Sequence, residues 1–245
     1  MITPGNNHDT LNAIRRRAGQ WLDQAWAIPA KRLKRPVTVP SFDGDPRFAL
    51  VCVNYSTTRY LKLMLLTLCK QEGLKSVRRI IIVDNGSRDD GIGFLRGLAS
   101  AAARVHLVEN RTFRTHARGL RRGIAALEAV ERGEDPGRHC NLLLICDPDV
   151  IFLNPGTLQA LADTLVREQA ALAGELRHNL YPRPEAQASF LAMRRDSYER
   201  RDIAPFVSHG APAWPMQRSL WRAGLRLADF PSNRGGYILH RGRSG

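Results

Sequence analysis

Asn141–Val150 reads NLLLICDPDV. The apolar run Leu142 to Cys146 is short and uninterrupted, which predicts a strand buried on both faces. It leads straight into Asp147-Pro148-Asp149. Pro148 cannot continue a central ladder, so the strand ends there. Two carboxylates at i and i+2 face one ligand if the backbone turns at that point. Hard oxygen ligands at a strand end suit Mg²⁺ or Mn²⁺ held together with phosphate groups. Taken alone, Asp-x-Asp serves equally well to cap a following helix. The elements around it decide between the two readings.

Upstream, Arg47–Asn54 (RFALVCVN) and Arg78–Asp84 (RRIIIVD) are further buried-strand patterns. Between them Arg59–Gln71 places Leu61, Met64, Leu65 and Leu68 at helical spacing, and Gly73 ends that helix. After Asp84 comes the turn pair Asn85-Gly86. Ser87 then reads as an N-cap, with Asp89 and Asp90 in the first turn of a helix running to about Ala102. Arg104–Val108 is a third strand, Thr115–Val130 a helix, and Asn141–Cys146 the fourth strand.

This β-α-β-α-β-α-β rhythm predicts a mostly parallel central sheet with helices on both faces. Ligands gather at the carboxyl ends of such strands. Three strands deliver polar ends to that rim: Asn54-Tyr55, Asp84-Asn85 and Asp147–Asp149.

Beyond Asp149 the rhythm changes to a mixed half. Pro155–Arg167 reads as a helix capped by Asn154, and Pro212–Ala223 as another ended by Gly224. Strands are predicted over Ala170–Leu176, Ala188–Arg194, Leu225–Phe230 and Gly236–His240. Ahead of the sheet, residues 1–46 form an arm. It has a helical pattern over Leu11–Ile28, then KRLKRP, then a linker marked by Pro36, Pro40 and Pro46. A basic cluster beside a Trp-bearing helix suits either packing on the main domain or peripheral contact with an anionic membrane.

No apolar run nears the ~20 residues that span a bilayer. The N-terminus lacks a basic-then-apolar leader, which predicts a cytoplasmic location, with the inner membrane face as a peripheral site. Cys52, Cys69, Cys140 and Cys146 form no C-x-x-C pair and read as reduced thiols. The net charge of +14 points to nucleic acid, a membrane surface or a phosphorylated substrate as partner.

The order VCVNYSTTRYLKLMLLTL, IIIVDNGSRDD, ICDPDV and ASFLAMRRDSY, closing on FPSNRGGYILHRGRSG, resembles the family 2 glycosyltransferases of the GT-A fold, bacterial rhamnosyltransferase-like members among them. The resemblance spans Arg47 to Leu239. It implies residues 47–150 as a nucleotide-binding half and 151–245 as an acceptor half. It also implies a UDP- or dTDP-sugar donor, Mn²⁺ or Mg²⁺, and a glycan or lipid-linked acceptor. Asn54 and Tyr55 fall where the family holds the nucleotide. Asp84 falls where the base is read, beside its plainer role as a turn-former. Asp149 falls on the metal ligand, and Asp147 near the ribose or the metal.

His116 and Arg118 fall on the donor-facing loop and helix, with Arg121 and Arg122 beside them. A late histidine, His240, falls where some relatives carry a metal ligand. The acidic pair that commonly supplies the base is missing ahead of Gly224, where the chain reads Gly210-Ala211-Pro212-Ala213-Trp214. His209 is the nearest substitute, and neutral imidazole suits the role; Asp196 and Asp202 are further choices. The expected function is therefore an inverting, metal-dependent glycosyltransferase. Two alternatives stand beside it. One is a nucleotidyltransferase, disfavoured because Asn54–Arg59 lacks glycine. The other is a non-catalytic module that binds a sugar nucleotide or an anionic polymer. Nucleic-acid binding is not expected.

Overall fold

The computed structural model describes residues 45–178, 183–208 and 211–242. The predicted arm helix, the KRLKRP segment, His209 and Arg243 lie outside them. Nine strands and six α-helices follow in order: β1 Phe48–Asn54, α1 Thr58–Leu68, β2 Val77–Asp84, α2 Ile92–Ala101, β3 Val105–Glu109, α3 His116–Glu131, β4 Leu142–Cys146, β5 Val150–Phe152, α4 Thr157–Arg167, β6 Leu172–Arg177, β7 Glu185–Arg194, α5 Arg195–Tyr198, α6 Trp214–Arg222, β8 Leu227–Asp229 and β9 Ile238–His240.

Seven strands form one sheet in the order β3-β2-β1-β4-β7-β6-β8. The first four run parallel, which sends Asn54, Asp84 and Cys146 to one rim. The antiparallel member is β7, inside the sheet between β4 and β6, while β8 at the edge runs parallel to β6. The short strands β5 and β9 form a second, antiparallel sheet.

All seven residues of β1 are buried. Phe48, Leu50 and Cys52 pack on one side with Leu61, Met64, Leu95 and Leu158 from α1, α2 and α4. Ala49, Val51 and Val53 pack on the other with Leu120, Ile124 and Leu220 from α3 and α6. A strand covered on both sides needs no polar alternation, and that is the uninterrupted apolar run in the sequence.

The predicted caps differ from those observed. Ser87 does not cap α2, which starts at Ile92 behind Gly91. Asp89 serves the preceding helix instead, where its Oδ2 accepts from the Thr58 amide at 3.0 Å. Asn154 shapes the turn ahead of α4 by accepting from the Gly156 amide at 2.8 Å. The helix itself begins at Thr157 because Pro155 and Gly156 are used in that turn.

Helix α3 lies close against β1 and β2 because Gly119 and Gly123 face the strands. A Cβ at Gly123 would stand 2.7 Å from Val51 Cγ1 and 3.0 Å from Val83 Cγ2. Overpacking such a contact costs about 1–3 kcal/mol. Gly123→Val is therefore expected to lower unfolding stability by that amount, read from its urea midpoint.

The far end of α3 is held by a buried carboxylate. Glu131 accepts from the Cys140 amide at 2.7 Å and from Arg195. Burial pushes its pKa up, but those two donors prevail and hold it below the usual value. The folded state thus binds this proton less readily than the unfolded chain. The stabilisation is complete above the unfolded pKa near 4.5 and is lost as pH falls through the lower folded value. Arg195→Met strands the Glu131 charge, which is expected to cost about 3–5 kcal/mol near pH 7. Denaturant titrations over pH should show the gap to the parent narrowing on acidification, as Glu131 takes up its proton.

Candidate functional site

Three strand ends meet at the carboxyl rim. Adjacent strands lie about 4.8 Å apart, so the ends of β2 and β4, flanking β1, are roughly 10 Å apart.

The β1–β2 side is a polar hub. Asn54, fully buried, turns its Nδ2 toward Asp84 Oδ1 at 3.1 Å, Thr58 Oγ1 at 3.2 Å and Ser87 Oγ at 3.2 Å. Asp84 accepts further bonds from Ser87 Oγ at 2.5 Å and the Ser87 amide at 3.1 Å. Asn85 holds the loop that follows β3. It donates to the Arg114 carbonyl at 2.5 Å and accepts from the Arg114 amide at 3.1 Å and Asn110 Nδ2 at 2.9 Å. Gly86, at φ 77°, lets that loop approach, since a Cβ there would stand 3.1 Å from the Phe113 amide nitrogen.

Tyr55 and Phe113 form an exposed edge-to-face pair at the mouth, with ring centroids 4.7 Å apart. Sequence reasoning missed Ser87 as a site residue, and it named Asn85 only as a polar strand end, without the part it plays in holding the loop after β3. The Asp-x-x-Ser spacing from Asp84 to Ser87, typical of a side-chain-closed turn, was the available signal for the first.

The β4 side carries Asp147 and Asp149. The Asp147 amide bonds the Ser189 carbonyl of β7 at 2.7 Å, and a turn brings the Val150 amide to the Asp147 carbonyl at 3.2 Å. Val150 then pairs with His240 across the β5–β9 sheet. This pairing sets His240 Nε2 3.2 Å from Asp149 Oδ1 and 3.7 Å from Asp147 Oδ2. His116, the first residue of α3, places Nε2 3.7 Å from Asp147 Oδ1.

Ligand atoms of Asp147, Asp149 and His240 all lie within 4.8 Å of one another. Asp147 Oδ1 is buried and has no hydrogen-bond partner. Burial pushes the Asp147 carboxyl above the usual range; His116 and His240 oppose this, and Asp149 adds to it. The hydrogen bond to Asp149 raises His240, against the effect of its own burial.

The arginines of α3 divide. Arg122 is committed to Asn110 Oδ1. Arg118 is half-buried on the first turn, and its backbone amide lies 3.4 Å from the capping Thr115 hydroxyl. Thr115 also shares a 2.5 Å hydrogen bond with Ser208, the residue before His209. Asp196 and Asp202 are ion-paired to Arg194 and Arg200. The aromatic residues of the second half pair among themselves, Trp214 with Trp221 at 5.3 Å and Tyr198 with Phe206 at 5.7 Å.

No family model and no curated protein matches this sequence. Solved structures do match the fold. The mannosyltransferase PcManGT from Pyrobaculum calidifontis, in complex with GDP-Man and Mn²⁺, aligns at 19% identity with a TM-score of 0.56, over 91% of this chain and 66% of that one. Residues 1–349 of S. aureus TarS, in complex with UDP-GlcNAc, align at 15% identity with a TM-score of 0.57, over 78% of this chain and 57% of that one.

The chain has the glycosyltransferase GT-A fold.

It spans about two thirds or less of the length of these two structures. In this GT-A sheet the Asp147–Asp149–His240 cluster has the makings of a cation site. Two carboxylate oxygens under 4.8 Å apart repel by on the order of 3 kcal/mol or more at an effective dielectric near 20. The imidazoles of His116 and His240 face the pair. Asp147 Oδ1 is buried without a hydrogen-bond partner. Two hard oxygens with one borderline nitrogen fit Mn²⁺ well and Mg²⁺ less well, since Mg²⁺ favours an all-oxygen octahedron.

The Asn54 hub joins this site to the stability of the GT-A core. Asn54→Ala removes donors from Asp84, Thr58 and Ser87 together. Leaving such groups unsatisfied costs about 1–3 kcal/mol. A drop of that size in denaturant unfolding is the expected result.

Proposed function

We propose that this chain is a divalent-metal-dependent glycosyltransferase that takes its sugar from a nucleotide-diphospho-sugar. The observation that carries the reading is the Asp147–Asp149–His240 cluster, with a buried Asp147 Oδ1 that no hydrogen bond satisfies, at the carboxyl rim of a GT-A sheet. The division into a nucleotide-binding half, residues 47–150, and an acceptor half, residues 151–245, belongs to the same proposal.

Asp147, Asp149 and His240 would hold the ion, which would supply Lewis-acid neutralisation of the departing diphosphate. The chain's own residues do the rest. Asn54, Asp84 and Ser87 build the wall of the nucleotide pocket. Asp84 Oδ2 accepts one intramolecular bond, which leaves it capacity to accept another from the N–H of a uracil or thymine base. This favours UDP or dTDP as the donor nucleotide. Tyr55 and Phe113 offer an exposed aromatic face beside it. Arg118, at the start of α3, supplies a positive group on the diphosphate side, where a guanidinium binds phosphate in bidentate fashion, and His116 beside it offers a ring nitrogen.

Transfer with inversion forms one bond, from the acceptor oxygen to the anomeric carbon, as the bond from that carbon to the diphosphate oxygen breaks. A base takes the acceptor proton. Asp196 and Asp202 are poor candidates. Burial raises Asp196, but Arg194 outweighs it, and Arg200 lowers Asp202 directly; both carboxyls lie below their usual range. His209, next to the anchored Ser208, is our assignment for the base. A glycan or a lipid-linked glycan is the acceptor class, with the basic arm as its peripheral membrane contact. No helix among the described residues is long and apolar enough to cross a membrane.

The test is a thermal-melting panel of UDP, dTDP, GDP, CMP and ADP, each with Mn²⁺ or with EDTA, on the parent and on Asp149→Asn. A ligand at a hundredfold excess over its Kd stabilises the fold by about 2.7 kcal/mol. The expected result is a rise with UDP or dTDP that needs Mn²⁺ and is absent in Asp149→Asn. A flat panel refutes the donor site. A metal-dependent rise with no sugar transfer or hydrolysis from the matching nucleotide sugar identifies a binding module instead of an enzyme.

A further inference from the structure

The end of the sheet opposite the Asp147 rim has a cavity of its own. It measures about 390 Å³ and is lined chiefly by Arg47, Arg78, Arg79 and Arg138, with Asp45 and Glu134. The topology gathers these residues. Arg47 immediately precedes β1, while Arg78 and Arg79 lie at the start of its parallel partner β2. Arg138 closes the short 3-10 turn Pro136–Arg138 ahead of β4. Strand β1 is seven residues long. At about 3.3 Å per residue the cavity lies roughly 20 Å from the Asp147 rim.

Four guanidinium groups face two carboxylates here, and Glu134 is already engaged by Arg79 at 2.6 Å. Arg47 directs Nε to the His139 carbonyl at 2.7 Å. Among the described residues, Arg47, Arg78 and Arg138 have no carboxylate partner. Arg79 Nε is buried with no acceptor at all. His106, on the neighbouring β3 and close enough to feel both Arg79 and Glu134, carries a second unpartnered buried nitrogen. A buried donor without an acceptor, such as Arg79 Nε, is rare in folded proteins and calls for a missing partner.

We propose that this cavity binds a phosphate-bearing anion, at a site separate from the sugar-nucleotide site. The missing partner must be an acceptor, and it must answer guanidinium groups that arrive from two strand starts and a turn. A tetrahedral phosphate presents oxygens in several directions and takes each guanidinium in bidentate fashion. A planar carboxylate meets only one such fork well. The volume lies at the low end of small-molecule sites and leaves room for a diphosphate or a phosphorylated small molecule. A nucleic-acid surface would instead show an extended basic stripe. The phosphate comes either from a soluble compound or from a lipid headgroup.

Calorimetric titration of the full chain with sodium diphosphate tests this. EDTA keeps the metal site out of the measurement, and about 150 mM NaCl screens exposed charges beyond about 8 Å. Vesicles containing phosphatidic acid, against phosphatidylcholine vesicles, form the second arm. Arg78→Ser/Arg138→Ser is the variant, because both side chains are exposed and the fold does not depend on them. Saturable diphosphate binding that weakens by about tenfold or more in the variant is expected, in line with the loss of charge-assisted bonds. Binding to phosphatidic acid alone, with the same sensitivity, assigns the phosphate to a lipid. Absence of binding in both arms, or affinity unchanged in the variant, overturns the proposal. The metal-free titration does not depend on the donor-site reading. The thermal rise with UDP and Mn²⁺, where the parent shows one, should persist in the variant.

Discussion

Asp147 and Asp149 are held in a space too small for two unscreened negative charges, and much of the molecule is arranged around that fact. Asp149 is almost fully buried, and Asp147 keeps a quarter of its side chain exposed. The imidazoles of His116 and His240 stand beside the pair, His240 Nε2 3.2 Å from Asp149 Oδ1 and 3.7 Å from Asp147 Oδ2, and His116 Nε2 3.7 Å from Asp147 Oδ1. Imidazole both hydrogen-bonds a carboxylate and ligates divalent metals, so His240 suits the site in either role.

The sheet makes that crowding possible. Side chains at the end of a buried parallel strand cannot move apart without breaking the ladder. Asp147 is fixed from one side by β7, through Ser189, and from the other by the turn into β5. The polar hub of Asn54, Asp84 and Ser87 has the same effect at the ends of β1 and β2. Its bonds tie the loops after those strands to each other. The rim is therefore rigid where it meets the sheet, and Asn85 holds the loop around Phe113 to it by the Arg114 backbone.

The strands β1, β2 and β4 could be read directly because each is buried on both faces, so the sequence carries an apolar run and a polar end. Asp84, Asp147 and Asp149 were visible for the same reason, as carboxylates placed where such a run stops. His240 was visible only through resemblance, since nothing local in YILH indicates that β9 returns to pair with Val150. The insertion of β7 between β4 and β6 was equally hidden, because strand order depends on long-range pairing. Ser87 and Asp89 look like caps of the helix that follows them, yet they serve what precedes them. Short polar side chains bond whichever backbone is nearest, and proximity across a loop does not show in the spacing. The basic cavity at the other end of the sheet is invisible in the sequence because Arg47, the Arg78-Arg79 pair and Arg138 are far apart in the chain and only the sheet brings them together.

The β5–β9 pairing is a clasp between distant parts of the chain. About ninety residues separate Asp149 from His240, and the ladder that joins them is three residues long on each strand. The residues between are themselves folded into the sheet and its helices, and Val150, Phe152 and Ile238 anchor the clasp in the core. His240 lies at the far end of β9, half-buried, so local opening of the clasp starts there. It is also the last piece of the rim that a chain made from its N-terminus can complete. An ion that bridges both sides would hold the clasp shut, so occupancy of the site and order in β9 should rise and fall together.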